Sequence, residues 1–501
     1  METSVSSKLR AFFQSHSAVY LYGTGEFAGR YLEILSQMRQ KIAGCIVSGK
    51  HDGDFYGYRV WSLQEIQGNL SADAGVIIAV SETHQEEIHD YLRQLGCAVP
   101  TFALDNQAFS MLHDEQALVE HLREMTIPCH KVFPPLRSLH KILVIRLDVI
   151  GDFLMTIPFL RELKRNVPQA EIDVVLRRSN EFLLKDCPYV HRVIPFDTNQ
   201  KEYVDVPHIR NFLEEHAIDN AYEALFLPCV ILQGRNYQET YAMTMLTGIK
   251  YRVGRITSFG SDGVESPWQK TRFDLLEPLF TKLVWQSDAR HEVQYMLELV
   301  EVCGGRVAND RMEYWISPEN RAFAERTLVP TPGWRTIACG LVGSEKARSW
   351  SPEKYRELIA RFAGKNARFV LLGGDDAREA AACIGAGENI IDLTGATTLP
   401  QVAAVMDCCD LYVGSDTGLM HFAVATGTPV VELSVWLRDG VPTNCSAPAR
   451  MGPWGVPSRI LIPESGLDGC HGRCSKTYAH CINTITVEQV EQAMEELLAD
   501  A

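Results

Sequence analysis

The sequence has 501 residues, a formal net charge of −15 and 46% hydrophobic residues. The length suffices for about three domains of ~150 residues each, and the apolar content excludes a wholly disordered chain. The negative charge argues against nucleic-acid binding and against a broad basic membrane face. No apolar run approaches the ~20 residues that span a bilayer, and the first ten residues lack the apolar core of a signal peptide. We therefore expect a cytoplasmic protein without a transmembrane segment.

A first domain, over residues 1–112, is predicted from alternating strands and helices. The strand Ala18–Tyr22 leads into a glycine turn, Gly23-x-Gly25-x-x-Ala28, and then into an amphipathic helix. This order is typical of a Rossmann-like dinucleotide site, where glycines let the backbone approach phosphates. An acidic residue normally ends the second strand to bind ribose, and Ser48 stands there instead. The glycine turn predicts a nucleotide-type ligand at Gly23, Gly25 and Ala28. Ser48, in place of the acid, disfavours NAD as that ligand. A domain that only packs or oligomerises is the alternative.

Residues 113–138 predict a linker, with a helix over Asp114–Glu124 followed by Pro134-Pro135. A second domain, over 139–328, opens with an apolar strand at Ile142–Ile145, a Gly151-Asp152 turn and a helix over Phe153–Lys164. Pro158 marks either the first turn of that helix or a kink. The later elements alternate as in a mostly parallel sheet, with strands at Glu171–Leu176, Arg192–Phe196, Ala224–Leu227 and Tyr251–Val253 and a helix at Asn236–Thr247.

A third domain, over 329–501, contributes three strands that each run into a glycine turn. Ligands gather at the C-terminal ends of strands in open α/β sheets, and three coincident turns are a stronger signal than one. The strands are predicted at Thr336–Leu341, Arg368–Leu372 and Leu411–Val413, and the turns are Gly343-Ser344, Gly373-Gly374-Asp375-Asp376 and Gly414-Ser415.

The last of these turns leads into a helix that starts at Asp416-Thr417-Gly418. The first amides of a helix lack partners within it and carry partial positive charge, so they can bind a phosphate. Ser415, Asp416 and Thr417 can cap this helix, Gly418 leaves room for a phosphate, and His421 shares the face of Thr417. An ordinary capped helix is the alternative interpretation.

Three motifs in this order resemble the heptosyltransferase family, glycosyltransferase family 9, which has the two-domain GT-B fold. They are Ile150-Gly-Asp-x-x-x-Thr-x-Pro158, Gly343-Ser-x-x-x-Arg-x-Trp350 with Ser-Pro-Glu-x-Tyr355 behind it, and Asp416-Thr-Gly-x-x-His-x-Ala-x-Ala-x-Gly-x-Pro429. The resemblance runs from Lys141 to the C-terminus. It implies an α/β chain of two facing Rossmann-like domains, preceded here by a third Rossmann-like domain.

The resemblance implies an inverting glycosyltransferase without a metal at its active site. Such an enzyme moves a sugar, typically heptose from ADP-heptose, onto a lipopolysaccharide core, a glycan or a protein, and is cytoplasmic or peripheral to the inner membrane. Asp152 is implied as the general base. Arg348 stands where the family usually has a lysine that reaches the diphosphate, and Lys346 is an alternative cation. The other donor-binding residues implied are Gly343, Ser344, Asp376, Ser415, Asp416, Thr417, Gly418 and His421.

Most of the 14 cysteines stand singly in apolar segments, as reduced buried thiols do. Cys470, Cys474 and Cys481 instead fall together in an irregular stretch, and further candidate ligands are Cys445, His471 and His480. Three thiols this close could hold a structural metal such as zinc or iron. The spacing lacks a C-x-x-C pair, so reduced thiols that brace a loop are the alternative.

Two other functions compete with glycosyl transfer. An NAD-linked or nucleotide-sugar-modifying enzyme could use the N-terminal glycine turn, which Ser48 disfavours. A GT-B-like scaffold could bind a nucleotide sugar without catalysis, which Asp152 disfavours. Because all three motifs follow residue 140, we expect the N-terminal domain to be dispensable for donor hydrolysis but not for acceptor choice or assembly, and the chain could form a homo-oligomer.

Overall fold

The structure, a computed structural model, describes residues 5–37, 40–49, 53–66, 70–71, 73–80, 82–94, 99–104, 129–198, 206–230, 237–260, 263–265, 267–343, 345–467 and 469–499. The chain divides into two compact units, residues 1–126 and 127–501. The predicted helix over Asp114–Glu124 lies outside the described residues. Of the helices that the structure describes, none combines the length and the apolar character needed to cross a bilayer.

The first unit is built around one six-stranded sheet. Its strands are β1 Val19–Tyr22, β2 Gly44–Val47, β3 Asp54–Phe55, β4 Tyr58–Ser62, β5 Gly75–Ile78 and β6 Thr101–Ala103, and its helices are α1 Val5–Ser15, α2 Glu26–Gln37, α3 Leu63–Ile66 and α4 Glu82–Gln94. The strand order is β3-β4-β2-β1-β5-β6, and every pair is parallel except β3 with β4. This sheet is Rossmann-like, as predicted.

The glycine turn of the first unit directly follows β1. Gly23 has a φ of +121°, and a β-carbon there would lie 2.9 Å from the carbonyl oxygen of Ala79, so the position requires glycine. No atom lies within 4 Å of a β-carbon placed on Gly25, and Ala28 is buried. Ser48, in place of the expected acid, lies 2.5 Å from the hydroxyl of Tyr22. The turn has the backbone of a ligand site, and its ligand stays a prediction.

The second unit begins with an α/β subdomain that we call the N-half. Its strands are β7 Lys141–Arg146, β8 Glu171–Arg177, β9 Arg192–Phe196, β10 Ala224–Val230, β11 Tyr251–Thr257 and β12 Lys282–Gln286, and its helices are α5 Ile150–Leu154, α6 Ile157–Asn166, α7 Val206–Glu215, α8 Tyr237–Leu246, α9 Pro267–Leu276 and α10 Glu292–Glu301. The strands form a parallel sheet in the order β12-β11-β10-β7-β8-β9.

The remainder of this unit, which we call the C-half, repeats the plan. Its strands are β13 Arg335–Gly340, β14 Ala367–Leu372, β15 Ile390–Asp392, β16 Leu411–Ser415, β17 Val430–Leu433 and β18 Ser458–Leu461, and its helices are α11 Pro318–Thr327, α12 Pro352–Arg361, α13 Arg378–Ile384, α14 Leu399–Asp407, α15 Gly418–Thr426, α16 Pro448–Met451 and α17 Val487–Ala499. The sheet is parallel, in the order β15-β14-β13-β16-β17-β18.

Both halves have the Rossmann strand order 3-2-1-4-5-6, counted within each half. The topological switch point of this order lies between the first and fourth strands, where ligands bind at the C-terminal strand ends. It falls between β7 and β10 in the N-half and between β13 and β16 in the C-half. A hydrophobic core joins the halves, since the ring centroid of Phe422 lies 6.4 Å from that of Phe182 and 5.3 Å from that of Tyr314.

The predicted helix Phe153–Lys164 is two helices in the structure. α5 ends at Leu154, and α6 begins at Ile157 with Pro158 in its first turn. A proline is tolerated there because its missing N–H would have no partner within the helix. The hydroxyl of Thr156, at the break, donates to the carbonyl of Asp152 at 3.0 Å. The break therefore helps to hold the turn that carries Asp152.

Residues 129–138, in the stretch predicted as a linker, pack on the N-half. The ring centroid of Phe133 lies 6.1 Å from that of Phe226 and 5.9 Å from that of Tyr251. Lys131 Nζ donates to the carbonyls of Glu277 at 2.8 Å and Phe280 at 3.1 Å. These contacts make 129–138 part of the second unit.

Candidate active site

A cavity of about 430 Å³ lies where the C-terminal strand ends of the N-half face loops of the C-half. Both switch points contribute to it, as expected for a ligand site in doubly wound sheets. It is lined by Arg146, Asp148, Val149, Gly151, Asp152, Val230, Arg255, Glu292, Arg348, Asp416, Thr417, Gly418, His421, Cys445, Ser446, Arg450 and Met451.

Two carboxylates follow β7, and the arginine that ends the strand holds both. Arg146 is buried, and its Nε lies 3.1 Å from Asp148 Oδ2. Its Nη2 lies 3.9 Å from Asp152 Oδ1 and donates to the carbonyl of Asp152 at 3.4 Å. The side chain of Asp152 is 26% exposed and lines the cavity. The structure therefore places Asp152 at the end of the first strand of the N-half, as the sequence predicts.

The environment of Asp152 makes its carboxylate unusually basic. Burial raises the pKa of Asp152 to about 7, and the nearby carboxylate of Asp148 adds to this shift while Arg146 opposes it. Glu292 and Asp416 raise the pKa further. A carboxylate with a pKa near neutrality is suited to accept a proton from a hydroxyl at physiological pH.

A cation from the C-half faces this acidic side. Arg348 ends the 3₁₀ turn Lys346–Arg348 that follows β13, and its Nη1 lies 3.0 Å from Asp416 Oδ2. The same nitrogen donates to the carbonyl of Asp416 at 3.3 Å. A β-carbon at Gly343 would lie 2.6 Å from Cβ of Arg348, so glycine at 343 makes room for the arginine. Arg348 is thus held beside the N-terminus of α15.

The N-terminus of α15 reaches the cavity through Thr417 and Gly418. The prediction that side chains of residues 415–417 cap this helix is wrong. Thr417 occupies the N-cap position without a side-chain capping bond, the Ser415 hydroxyl donates to the carbonyl of Arg348, and Asp416 pairs with Arg348. Because Ser415 and Asp416 bond to Arg348 and Thr417 makes no capping bond, their side chains leave the first amides of α15 uncapped, which suits an anion site.

His421 lies in the first turn of α15 and is buried. Its Nε2 lies 3.7 Å from Asp416 Oδ1, and burial lowers the pKa of His421 to about 4. The imidazole is therefore neutral at pH 7 and does not supply positive charge to the cavity. Its ring packs against Gly151 of the N-half, which brings the two sides of the cavity together.

A buried ion network, which sequence reasoning missed, closes another side of the cavity. Glu292, in the first turn of α10, pairs with Arg255 of β11 and with Arg450 of α16. Burial by itself would raise the pKa of Glu292, but the two guanidiniums outweigh it and hold that pKa below its usual range. Since Arg450 belongs to the C-half, the network ties the halves together. Arg255 is one of two arginines in the strand β11, a signal that could have been used, whereas Arg450 stands in an aperiodic segment.

The predicted site residues separate into three groups in the structure. Asp152, Arg348, Asp416, Thr417, Gly418 and His421 line the cavity together. Gly343 and Ser415 contact Arg348 from behind the lining. Lys346 and Asp376 are exposed and are not among the lining residues, and Ser344 lies outside the described residues.

The three predicted metal-ligand cysteines come together, and a histidine joins them. The ligand atoms of Cys470, Cys474, His480 and Cys481 all lie within 4.8 Å of one another. The other two candidates lie elsewhere, since Cys445 lines the cavity and His471 Nδ1 is 3.4 Å from Asp439 Oδ2.

Comparison with known proteins shows which family this chain resembles. Residues 281–434 match the family described as glycosyltransferase family 9 (heptosyltransferase). Lipopolysaccharide heptosyltransferase 2 of Escherichia coli K12 is 25% identical over 369 residues, which cover 72% of this chain and 98% of that protein. Lipopolysaccharide heptosyltransferase 3 of E. coli is 22% identical over 295 residues, with 56% and 80% covered. The resemblance of this chain to glycosyltransferase family 9, which its motifs predict, is confirmed.

Solved structures agree with the fold described above. A family 9 glycosyl transferase from Veillonella parvula covers 74% of this chain and 99% of its own, with a TM-score of 0.58 and 19% identity. The ADP-heptose lipopolysaccharide heptosyltransferase II of E. coli covers 72% and 99%, with a TM-score of 0.51 and 21% identity. The predicted GT-B fold is confirmed for the N-half and C-half, and a third Rossmann-like sheet precedes them.

Proposed function

We propose that this glycosyltransferase moves a heptose from ADP-heptose to a hydroxyl of a lipopolysaccharide core, with inversion at the anomeric carbon. The relatives' names support the sugar, the donor and the acceptor. The observation that supports the reaction type is one cavity in which Asp152 of the N-half is opposed by Arg348 and the N-terminus of α15 in the C-half. A glycan or a protein hydroxyl is the alternative acceptor.

In the proposed reaction, Asp152 accepts the proton of the acceptor hydroxyl. The hydroxyl oxygen attacks the anomeric carbon on the face opposite the diphosphate, and the bond from that carbon to the diphosphate oxygen breaks. The nucleoside diphosphate leaves with the bonding electron pair, so the new glycosidic bond has the inverted configuration. A pKa of about 7 lets Asp152 act near neutral pH, and a general base of this kind is worth roughly 10²–10⁴-fold in rate.

Negative charge grows on the diphosphate as this bond breaks. Donors that are fixed in advance, such as the guanidinium of Arg348 and the first amides of α15, can stabilise that charge without reorganising. A guanidinium carries five N–H donors, so Arg348 can hold Asp416 and the diphosphate together. We propose that these groups do the work that a metal ion does in other phosphate sites.

The proposal also covers the location of the enzyme, the role of the first unit and the oligomeric state. A lipopolysaccharide acceptor would bring a cytoplasmic enzyme to the inner membrane. We assign acceptor choice or assembly to the first unit, because the three family motifs lie in the second. A homo-oligomer stays a prediction.

A transfer assay with ADP-heptose and a heptose-free lipopolysaccharide core, read by mass spectrometry, tests the proposal. A thermal-shift panel of ADP-, UDP- and GDP-sugars accompanies it, since a ligand at ~100 times its Kd adds about 2.7 kcal/mol of stability. We expect ADP-heptose to stabilise the chain and to be consumed. Transfer from a different nucleotide sugar would overturn the donor assignment alone, whereas binding of none of them would overturn the proposed function.

A further inference from the structure

Four side chains of the C-half gather around an irregular loop, and none of them lines the proposed active-site cavity. They are Cys470, Cys474, His480 and Cys481. His480 Nδ1 lies 3.2 Å from the sulfur of Cys481, 3.8 Å from that of Cys474 and 3.9 Å from that of Cys470. The three thiols are all buried. Four soft or borderline ligand atoms therefore converge on one point inside the protein.

These separations suit a tetrahedral zinc ion. With Zn–S bonds of about 2.3 Å and a Zn–N bond of about 2.05 Å, tetrahedral angles place a sulfur and a nitrogen ligand roughly 3.6 Å apart. The three observed nitrogen-to-sulfur distances lie on either side of that value. Three cysteines and one histidine form a donor set of structural zinc sites, whereas Ca²⁺ and Mg²⁺ require oxygen ligands. We propose that Cys470, Cys474, His480 and Cys481 bind one structural zinc ion.

The loop that carries these ligands has little regular structure to hold it. Between β18 and α17, the described residues form the 3₁₀ turn Cys481–Thr484 and the isolated β-bridges of Arg473 with Trp436 and His471, but no strand or α-helix. A metal that joins residues 470, 474, 480 and 481 crosslinks this segment, and such sites contribute directly to folding free energy. The thiols bind as thiolates, so loading of the metal releases protons.

The same loop reaches the donor side of the cavity through Arg473, which stands between two of the ligands in sequence. Arg473 Nη2 lies 2.5 Å from Glu345 Oε2, and that oxygen lies 3.7 Å from Nε of Arg348. The amide of Gly472 also donates to Asp439 Oδ1 at 2.9 Å. The metal therefore fixes Arg473, which positions Glu345 and, through it, Arg348. This positioning role rests on the proposed function, and the metal site does not.

Metal analysis of the full chain, purified without a polyhistidine tag under reducing conditions, tests the site. We expect one zinc ion per chain, lost in Cys474→Ser and in Cys481→Ser. Cys408→Ser, which removes an exposed thiol outside the cluster, is the matched control and should keep the zinc. Because a ligand variant could fail to fold, the unaltered chain is also stripped with a chelator and reloaded with Co²⁺. Thiolate-to-cobalt charge-transfer absorption and the visible bands of a tetrahedral ion are expected.

Unaltered protein that holds no stoichiometric metal and shows no such cobalt absorption would overturn the proposal. A disulfide between two of the three thiols, located by peptide mapping of the unreduced chain, would do the same. Stoichiometric iron in place of zinc would overturn the zinc assignment. Arg473→Gln should keep the zinc but raise KM for the donor more than it lowers kcat. Metal content is measured without any donor, so failure of the transferase proposal would leave the zinc result intact.

Discussion

A β-carbon at Gly151 would lie 2.5 Å from Cδ2 of His421, so these two residues are in direct contact across the two halves. Gly151 directly precedes the proposed base, and His421 lies in the first turn of the proposed anion-binding helix. The contact fixes the spacing between the acceptor and donor sides of the cavity. Glycine is needed here for close packing, not for an unusual backbone angle.

We therefore expect Gly151→Ala to destabilise the second unit by about 1–3 kcal/mol, the usual effect of overpacking. The measurement is the free energy of unfolding in denaturant. Gly418→Ala is the matched control, because a β-carbon there would meet only Ile150, at 3.5 Å. In a His421→Ala background the effect of Gly151→Ala should largely disappear. An equal loss of stability in both backgrounds would show that the contact with His421 is not responsible.

Removal of the proposed base should slow transfer without weakening donor binding. Asp152→Asn is expected to lower kcat roughly 10²–10⁴-fold, or about 3–5 kcal/mol of barrier. Its carboxylate belongs to the acceptor side, so the Kd of the nucleotide sugar, measured by calorimetry, should barely change. Asp148→Asn is the comparison, since Asp148 follows the same strand. Full transfer by Asp152→Asn together with loss of transfer in Asp148→Asn would move the role of base to Asp148.

The part of the site that could be predicted from the sequence lies in contiguous strand–turn–helix segments. Asp152 and Gly418 each follow an apolar strand within a few residues, so local pattern alone places them at a strand end. The capping prediction failed because the side chains of Ser415 and Asp416 bond to Arg348, a partner 67 or 68 positions away in the chain. No local pattern reports such a partner.

Contacts between residues from distant segments of the chain could not be predicted from the sequence. Glu292, Arg255 and Arg450 come from separate segments, and only the fold shows that a buried carboxylate joins two guanidiniums. The choice between Lys346 and Arg348 was likewise open. Both residues lie in one 3₁₀ turn, in which Arg348 lines the cavity and Lys346 is exposed.

Arg348 should matter for donor binding as well as for rate. It would hold charge that the diphosphate already carries before reaction, so Arg348→Ala should weaken donor binding by roughly 10–100-fold, in line with about 1.5–3 kcal/mol for a charged hydrogen bond. The same variant should also slow transfer. Lys346→Ala is the discriminating comparison and should bind the donor nearly as the unaltered chain does. Equal damage to donor binding by Arg348→Ala and Asp152→Asn would refute the division of roles between the halves.

The second unit should work on the donor without the first. A chain that begins at Ile127 is expected to fold and to hydrolyse the nucleotide sugar, but to lose acceptor choice or assembly. A chain that begins at Leu139 should be less stable, because it lacks the contacts of Lys131 and Phe133 with the N-half. Unfolding free energy and donor hydrolysis are measured for both. Loss of donor binding in a folded chain from Ile127 would contradict the expectation.

The pH dependence of transfer should report the proton on Asp152. Its pKa in the unliganded protein is raised to about 7 by burial and by Asp148, and the base works only when deprotonated, so kcat/KM should fall as the pH drops below about 7. Asp148→Asn removes a like charge near Asp152, and Arg146 then pairs with Asp152 without competition from Asp148. Both effects favour the carboxylate form of Asp152. The acid limb of the profile should therefore move to lower pH in that variant. Asp186→Asn, which removes an exposed carboxylate of the same half, serves as the control and should leave the limb in place. An acid limb that Asp148→Asn does not move would show that another group controls the rate.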